Sequence, residues 1–360
     1  MNSRFSFCQI GRILSVIFAL TGVCVIGEEE DSRKILYHDA HFHTTNYIQE
    51  GVTMDEALAL FGDRIGRFVA MGIPLQQKWD YFVSGERAPD YYLRSAASLY
   101  YYSFVDAVLA SQYMKLSDEQ KKRVDPMISG FNPTDMYAGD HIKRVLLSFP
   151  GVFSAVGEFS VHKEFVSSKV TGHAASLHNP ALDRIFETLA EIGIVGVIHC
   201  DIDNVRPGEK PDHYSDLVDL FKRHPNTKII WAHTGLGRFV KPGVDHVQLV
   251  DAMMSDPELD HVFADISWDL VNEYMVADEA TSKSWAELLN KHPTRFLFGS
   301  DAVAPSSWEG YNQSYEILES LWAQLTDEAM HLVTIGNYER IFDESIARTR
   351  AWEHQALQGE

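Results

Sequence analysis

Eight times along the chain, a short run of aliphatic, β-branched or aromatic residues ends at a polar position and gives way to an amphipathic stretch. The runs fall at residues 35–39, 68–74, 127–131, 152–158, 194–199, 228–233, 262–266 and 295–299. Runs so uniformly apolar predict strands covered on both faces, because a sheet with one wet face alternates polar and apolar positions. Amphipathic segments lie between them at 133–147, 180–191, 212–223, 244–254 and 284–291. Thr134 and Asp135 suit a helix start, and Asn179 followed by Pro180 gives the second a cap and a first-turn proline. Eight strand–helix alternations predict an α/β fold closed as a (β/α)8 TIM barrel, with an open doubly wound sheet as the competing arrangement.

Two segments exceed a minimal barrel. Residues 90–123 are long and rich in tyrosine (Tyr91, Tyr92, Tyr100, Tyr101 and Tyr102) and predict a helix or helix pair inserted after the second strand. The tyrosines are read as packing residues. Residues 306–342 predict two C-terminal helices, and the remainder to Glu360 a polar helix or a frayed tail.

The N-terminus changes the picture of the chain's destination. Residues 1–27 carry Arg4 and Arg12, an apolar run over 13–25, and small residues at Val25 and Gly27 before the acidic run 28–31. This is the pattern of a cleaved secretory signal peptide, and the apolar run is short for a membrane span. The expected mature protein is residues 28–360, one domain, exported to a periplasm or secreted. Loss of Arg4 and Arg12 takes the formal charge from −20 to −22, which disfavours nucleic acid and anionic membranes as partners. A small-molecule substrate is expected, with homo-oligomerisation left open. Cys8 and Cys24 leave with the signal, so Cys200 has no partner for an internal disulfide.

Candidate chemistry gathers where the runs end. Residues i and i+2 of a strand share a face, so His41 and His43 point together from the end of the first run while Phe42 points away. His199 ends the fifth run, His233 the sixth, and Asp301 follows the eighth after Gly299-Ser300. In a barrel of this kind the C-terminal ends of the strands carry the chemistry. Four imidazoles and a carboxylate arriving in step with the strand count predict a divalent metal site. Glu158 ends the fourth run and is either a ligand bridging two ions or a residue beside a single one. Lys163 lies too far past that run to be the bridge. Lys163, Arg206, Arg238 and Trp268 follow strands where loops line a pocket, and are candidates for substrate contact. His38, at odd spacing from His41, is expected to face away, and Cys200 to be a packed thiol.

The segment Asp39-Ala40-His41-Phe42-His43 resembles the strand-1 signature of the amidohydrolase superfamily. His199, His233 and Gly299-Ser300-Asp301 match its strands 5, 6 and 8, and Trp231-Ala232-His233-Thr234-Gly235 is similar to the strand-6 motif of the amidohydrolase-2 branch. The resemblance implies a metal-dependent TIM-barrel hydrolase with one or two ions, expected to be Zn2+, held by His41, His43, Glu158, His199, His233 and Asp301. It implies attack by metal-activated water on a small amide, ester or lactone. Asp301 is then the general base, and His233 a ligand or the group that polarises the carbonyl. Relatives in this branch also imply an alternative, non-oxidative decarboxylation of a small carboxylic acid, and a third reading of a different class is an exported protein that binds a metal or ligand without catalysis.

Overall fold

The computed structural model describes residues 35–202 and 211–359. The expected signal peptide at 1–27 and Arg206 lie outside the described residues. Eight parallel strands form one sheet in sequence order: β1 (Tyr37–Asp39), β2 (Ile65–Ala70), β3 (Val124–Ile128), β4 (Ala155–His162), β5 (Val195–Cys200), β6 (Ile229–Trp231), β7 (Val262–Ile266) and β8 (Phe296–Phe298). Parallel neighbours need a crossover each time, and helices supply it on the outside of the sheet. Every residue of β3, β5, β7 and β8 is buried, as expected of strands covered on both faces.

Between β8 and β1 the barrel is closed by a seam of few bonds. Ala40 N–H donates to the Phe298 carbonyl at 3.0 Å and Asp301 N–H to the His41 carbonyl at 2.7 Å. Just beyond, Phe42–His43 pairs in parallel with Ala302–Val303. The Asp39 carboxylate spans this seam. It accepts from His41 N–H (3.0 Å), Ser300 N–H (2.8 Å), Ser300 Oγ (2.6 Å) and Tyr311 Oη (2.7 Å). A Cβ on Gly299 would lie 2.5 Å from that of His41, so the approach of β8 to β1 requires glycine there.

β2 and β3 each begin three residues before the apolar runs at 68–74 and 127–131, and larger departures from the sequence reading lie outside the barrel strands. The helix expected from 133 begins at Ala138, because Asn132 and Asp135 side chains bond Thr134 N–H and Tyr137 N–H at 2.9 Å and hold a turn instead. The 90–123 insertion is not a simple helix pair. It contains a 3-10 turn (Tyr92–Arg94), a strand (Leu99–Tyr101) antiparallel to Leu75–Gln77, a helix (Val105–Tyr113) and a short turn of helix (Asp118–Lys121). The C-terminal region after β8 has more than two helices, because Thr326 caps a new one at Asp327–His331. Its last helix, Asn337–Gln358, is neither frayed nor merely polar. Tyr338 Oη bonds Asp125 (2.7 Å), Ser345 Oγ bonds the Ser154 carbonyl (2.6 Å) and Glu353 accepts from Gly151 N–H (3.0 Å), so it braces the N-terminal ends of β3, β4 and β5. Among the described residues no helix is long and apolar enough to cross a membrane.

Two stability predictions follow from these contacts. Asp39→Ala leaves three backbone or hydroxyl donors and a phenol buried without their acceptor. It should cost at least about 3 kcal/mol in denaturant unfolding with a chelator present, and Asp39→Asn less. Asp106, on the insertion helix, accepts from Ser129 N–H (2.9 Å) and Gly130 N–H (3.1 Å) and so docks that helix on the loop after β3. Burial pushes its carboxyl up to about 7, against the pull of the two amides. An unfolded aspartate titrates near 3.8, so the native state holds this proton more tightly and the contribution is lost as pH rises through 7. Asp106→Asn keeps an Oδ1 acceptor without titrating. Its melting temperature should therefore decline less than the parent's between pH 4.5 and 8.

Candidate metal centre

The strand ends bring His41, His43, His233 and Asp301 to one point over the barrel mouth, where Glu158 of β4 meets them. His43 Nε2 lies 3.2 Å from Asp301 Oδ1 and 3.5 Å from Glu158 Oε2. His41 Nε2 lies 3.4 Å from Asp301 Oδ1 and 4.0 Å from Glu158 Oε2. His233 Nε2 is 3.7 Å from Glu158 Oε1 and 3.8 Å from Asp301 Oδ2. Among the described residues, two overlapping groups offer ligand atoms within 4.8 Å of one another: His41, Glu158 and His233, and His41, His43 and Asp301.

This arrangement fits a divalent cation. Ligands on a tetrahedral zinc stand roughly 3.3 Å apart for bonds of ~2.0–2.2 Å, close to the spacings of His41, His43 and Asp301. The hydrogen bonding points the same way. His41 Nε2 and His233 Nε2, both facing the carboxylates of the cluster, are buried and have no hydrogen-bond partner. Orphaned polar atoms of this kind are rare, and an ion or ordered water is the usual explanation. His41 gives its other nitrogen, Nδ1, to Asp265 Oδ2 at 3.0 Å, the carboxylate–histidine pairing common behind metal-bound imidazoles.

Charge in the cluster follows from burial set against neighbours. Burial disfavours the charged form of His41, but Asp265, Asp301 and Glu158 overcome it and push the imidazole up to about 9. Burial likewise opposes the charge on Asp301, and the three imidazoles hold its carboxyl below the usual range. Glu158 is also held well below the usual range, with Lys163 and His199 outweighing desolvation. His233 is lowered chiefly by burial. The pocket is built to hold positive charge among its carboxylates.

Not every expected site residue joins the cluster in the same way. His199 has both ring nitrogens engaged: Nδ1 with Glu158 Oε1 at 2.5 Å and Nε2 with Asp201 Oδ1 at 2.9 Å. As placed it supports Glu158 and has no nitrogen free for an ion, so the ligand role does not follow from its position. β4 runs four residues further than the sequence suggested, through Ser160 to His162. Glu158 is therefore mid-strand, and Lys163 follows the strand at once and reaches back to Glu158 Oε1 at 3.4 Å. Lys163, expected as a substrate contact, is placed here as a counter-charge to Glu158. His38 faces away, between Glu339 (3.2 Å) and Arg67 N–H (2.9 Å), and Cys200 is a buried thiol.

Beside the cluster a cavity of about 340 Å³ opens between Asp301 and a wall of Tyr91, Tyr92, Lys163, Arg238 and Trp268. The Arg238 guanidinium lies 5.5 Å from the Trp268 ring centre and donates to Tyr91 Oη at 3.3 Å, while its buried Nε has no partner. Trp268 in turn faces His233, ring centres 5.3 Å apart. Tyr91 and Tyr92 pack as the sequence suggested, against Tyr47, and also line this cavity.

Sequence reasoning missed Asp39, Asp201, Asp265 and Ser267. The signal was present: Asp39-x-His41-x-His43 and Asp265-x-Ser267 obey the same i, i+2 rule that singled out the histidine pair. Three of the candidate site residues, His233, Trp268 and Asp301, have positive φ (55°, 72° and 48°) without being glycine. Such backbone is costly and concentrates at functional sites.

Among solved structures the fold is shared at low identity. A Pseudomonas putida protein provisionally described as a 2-pyrone-4,6-dicarboxylic acid hydrolase gives a TM-score of 0.52 at 10% identity, over 86% of this chain and 98% of that one. An amidohydrolase from Burkholderia multivorans with bound zinc gives 0.52 at 14%, over 86% and 99%. An uncharacterised TIM-barrel protein from Bordetella bronchiseptica gives 0.50 at 12%, over 86% and 99%. A search of curated proteins finds no match. The family described as Amidohydrolase matches residues 39–343, most of the chain. The chain therefore belongs to the amidohydrolase family, and it is a metal-dependent enzyme of the hydrolase type on a TIM barrel.

Proposed function

We propose that this enzyme hydrolyses a small amide, ester or lactone that carries a carboxylate or similar anionic group, using one divalent cation, zinc by preference. The observation that carries the reading is the convergence of three imidazoles and two carboxylates on a point that opens into a cavity lined by cations. Nitrogen and carboxylate donors of this mix suit zinc. His41, His43, His233 and Asp301 would hold the ion, with Glu158 Oε2 beside them. A single ion is favoured by His41. Its Nδ1 is committed to Asp265, so Nε2 serves both candidate ligand groups, and one lone pair binds one ion.

A cation bound here supplies Lewis acidity, which lowers the pKa of water toward neutrality and polarises a carbonyl. The chain's own groups do the rest. Asp301, held ionised by the imidazoles, accepts the proton of the attacking water on a carboxylate oxygen and returns it to the leaving group. Lys163 and His199 both engage Glu158 Oε1, which keeps that carboxylate oriented with Oε2 toward His43. Arg238, with no carboxylate partner among the described residues, pairs with the substrate's anionic group and stacks on Trp268. Decarboxylation of a small acid is the second reading, favoured by the same unpaired Arg238. The family assignment sets aside a purely binding role.

The test is a panel of amides, esters and lactones, each with and without a carboxylate. The cation-loaded protein should hold about one equivalent per chain and prefer the anionic members. Asp301→Asn should lower kcat by about 10²–10⁴-fold with the cation retained. Arg238→Gln should raise KM for anionic members and leave neutral ones unchanged. Release of carbon dioxide without hydrolysis would move the assignment to the decarboxylase, and two equivalents of metal would overturn the single-ion site.

The N-terminal pattern supports a second proposal, that the protein is exported and matures near Glu28. N-terminal sequencing of the protein recovered outside the cytoplasm should begin there, and an intact Met1 in that fraction would sink it.

A further inference from the structure

Behind the cluster, two residues at the end of β7 decide where the proton of His233 sits. The Asp265 carboxylate is fully buried and receives three donors: His41 Nδ1–H at Oδ2 (3.0 Å), His233 backbone N–H at Oδ1 (2.8 Å), and the Ser267 hydroxyl at Oδ1 through a short bond. A carboxylate with this many donors stays ionised and offers no proton of its own. Ser267 Oγ also lies 2.7 Å from His233 Nδ1.

The proton count leaves one solution. A serine hydroxyl has a single proton, and Asp265 takes it. Toward His233, Ser267 presents only a lone pair, so the bond at 2.7 Å needs the proton on Nδ1. A neutral imidazole carries one N–H. His233 Nε2 is then bare, and it points at Glu158 Oε1 (3.7 Å) and Asp301 Oδ2 (3.8 Å) with no hydrogen-bond partner.

We propose that Ser267 is a positioning residue: by giving its hydroxyl proton to the Asp265 bond, it fixes His233 as the Nδ1–H tautomer. Nε2 then acts as a lone-pair donor to a cation or as a proton acceptor. It does not act as an N–H donor to a substrate carbonyl, which removes one of the two roles open to His233 on sequence alone. The tautomer stands on the hydrogen bonds themselves. Only what Nε2 binds rests on the metal-dependent reading.

The experiment separates the two. In cation-free protein, nitrogen-15 NMR of the His233 ring, assigned by its loss in His233→Gln, should show a protonated Nδ1 and a bare Nε2. Ser267→Ala removes the acceptor and should shift the ring toward the Nε2–H form, while Ser267→Thr, which keeps a hydroxyl, should restore the parent pattern. Zinc affinity, measured by chelator competition, should fall about 10–100-fold in the alanine variant and recover in the threonine one. Ser267→Cys, near in size and a weak acceptor, repeats the test if the alanine variant does not fold. An Nε2–H form in the parent, or an unchanged ring in both the alanine and cysteine variants, overturns the proposal. A shifted tautomer with unchanged zinc affinity upholds the positioning role and counts against His233 as a ligand.

Discussion

The buried carboxylate of Asp39 holds together the seam on which the barrel and its chemistry both depend. Closing a sheet into a barrel requires its first and last strands to meet, and here they meet over three residues each. Few backbone bonds are available over so short a length, and the Asp39 carboxylate adds four more by accepting from donors on both sides of the joint. Tyr37 edges onto Phe298 just below, ring centres 4.6 Å apart. Immediately above the seam sit His41, His43 and Asp301. The distance between the histidine pair and the aspartate is therefore set by barrel closure itself. A structure that failed to close would lose the cation site at the same moment.

This coupling explains which parts of the molecule could be read from sequence. Periodicity reports local burial, so all eight strands were visible as apolar runs, and β7 was bounded at 262–266 as observed. The polar residues ending those runs were visible for the same reason: a charged or imidazole side chain at the mouth of a dry strand stands out against its neighbours. What the sequence could not show was partnership. Asp265 and Ser267 sit in a strand end that looks unremarkable until His41 and His233 are placed against it from two other strands. Lys163 was set aside as a bridging ligand and kept as a substrate contact because the apolar run stops at Glu158, whereas the strand continues through Ser160, a small hydroxyl that a buried sheet accepts. The insertion at 90–123 was misjudged because Leu99–Tyr101 becomes a strand by pairing with Leu75–Gln77, which no local pattern announces.

The electrostatics divide the mouth of the barrel into two territories. Around the seam, buried carboxylates outnumber the cations available to them and push the His41 imidazole toward holding charge, while burial lowers His233. Desolvating such a cluster is costly unless a positive charge neutralises it. A bound cation does so, which links metal uptake to stability as well as to chemistry. Across Trp268 the balance reverses, with Lys163 and Arg238 on the cavity side. Lys163 spends its charge on Glu158, so Arg238 is the group with charge to offer an incoming ligand. The Trp268 indole lies between the two territories, 5.5 Å from the Arg238 guanidinium and with its ring centre 5.3 Å from that of His233.

The left-handed backbone at the strand ends is the remaining element of the design, and it has a geometric cause. In a continuing strand the residue after an inward-facing one points outward. His233 follows Trp231 and Ala232, and Asp301 follows Gly299 and Ser300, each within three positions of its strand's end. To turn these side chains over the mouth, the chain must leave the strand abruptly, and positive φ does this in one residue. The strain, about 1–3 kcal/mol at each such residue, is offset by bonds that hold the turn: His233 N–H to Asp265 and Asp301 N–H to the His41 carbonyl. Both bonds end on groups that also orient the first-strand histidines. The residues that bend the backbone into place are thus the ones that aim the imidazoles, so strain and preorganisation are relieved or lost together.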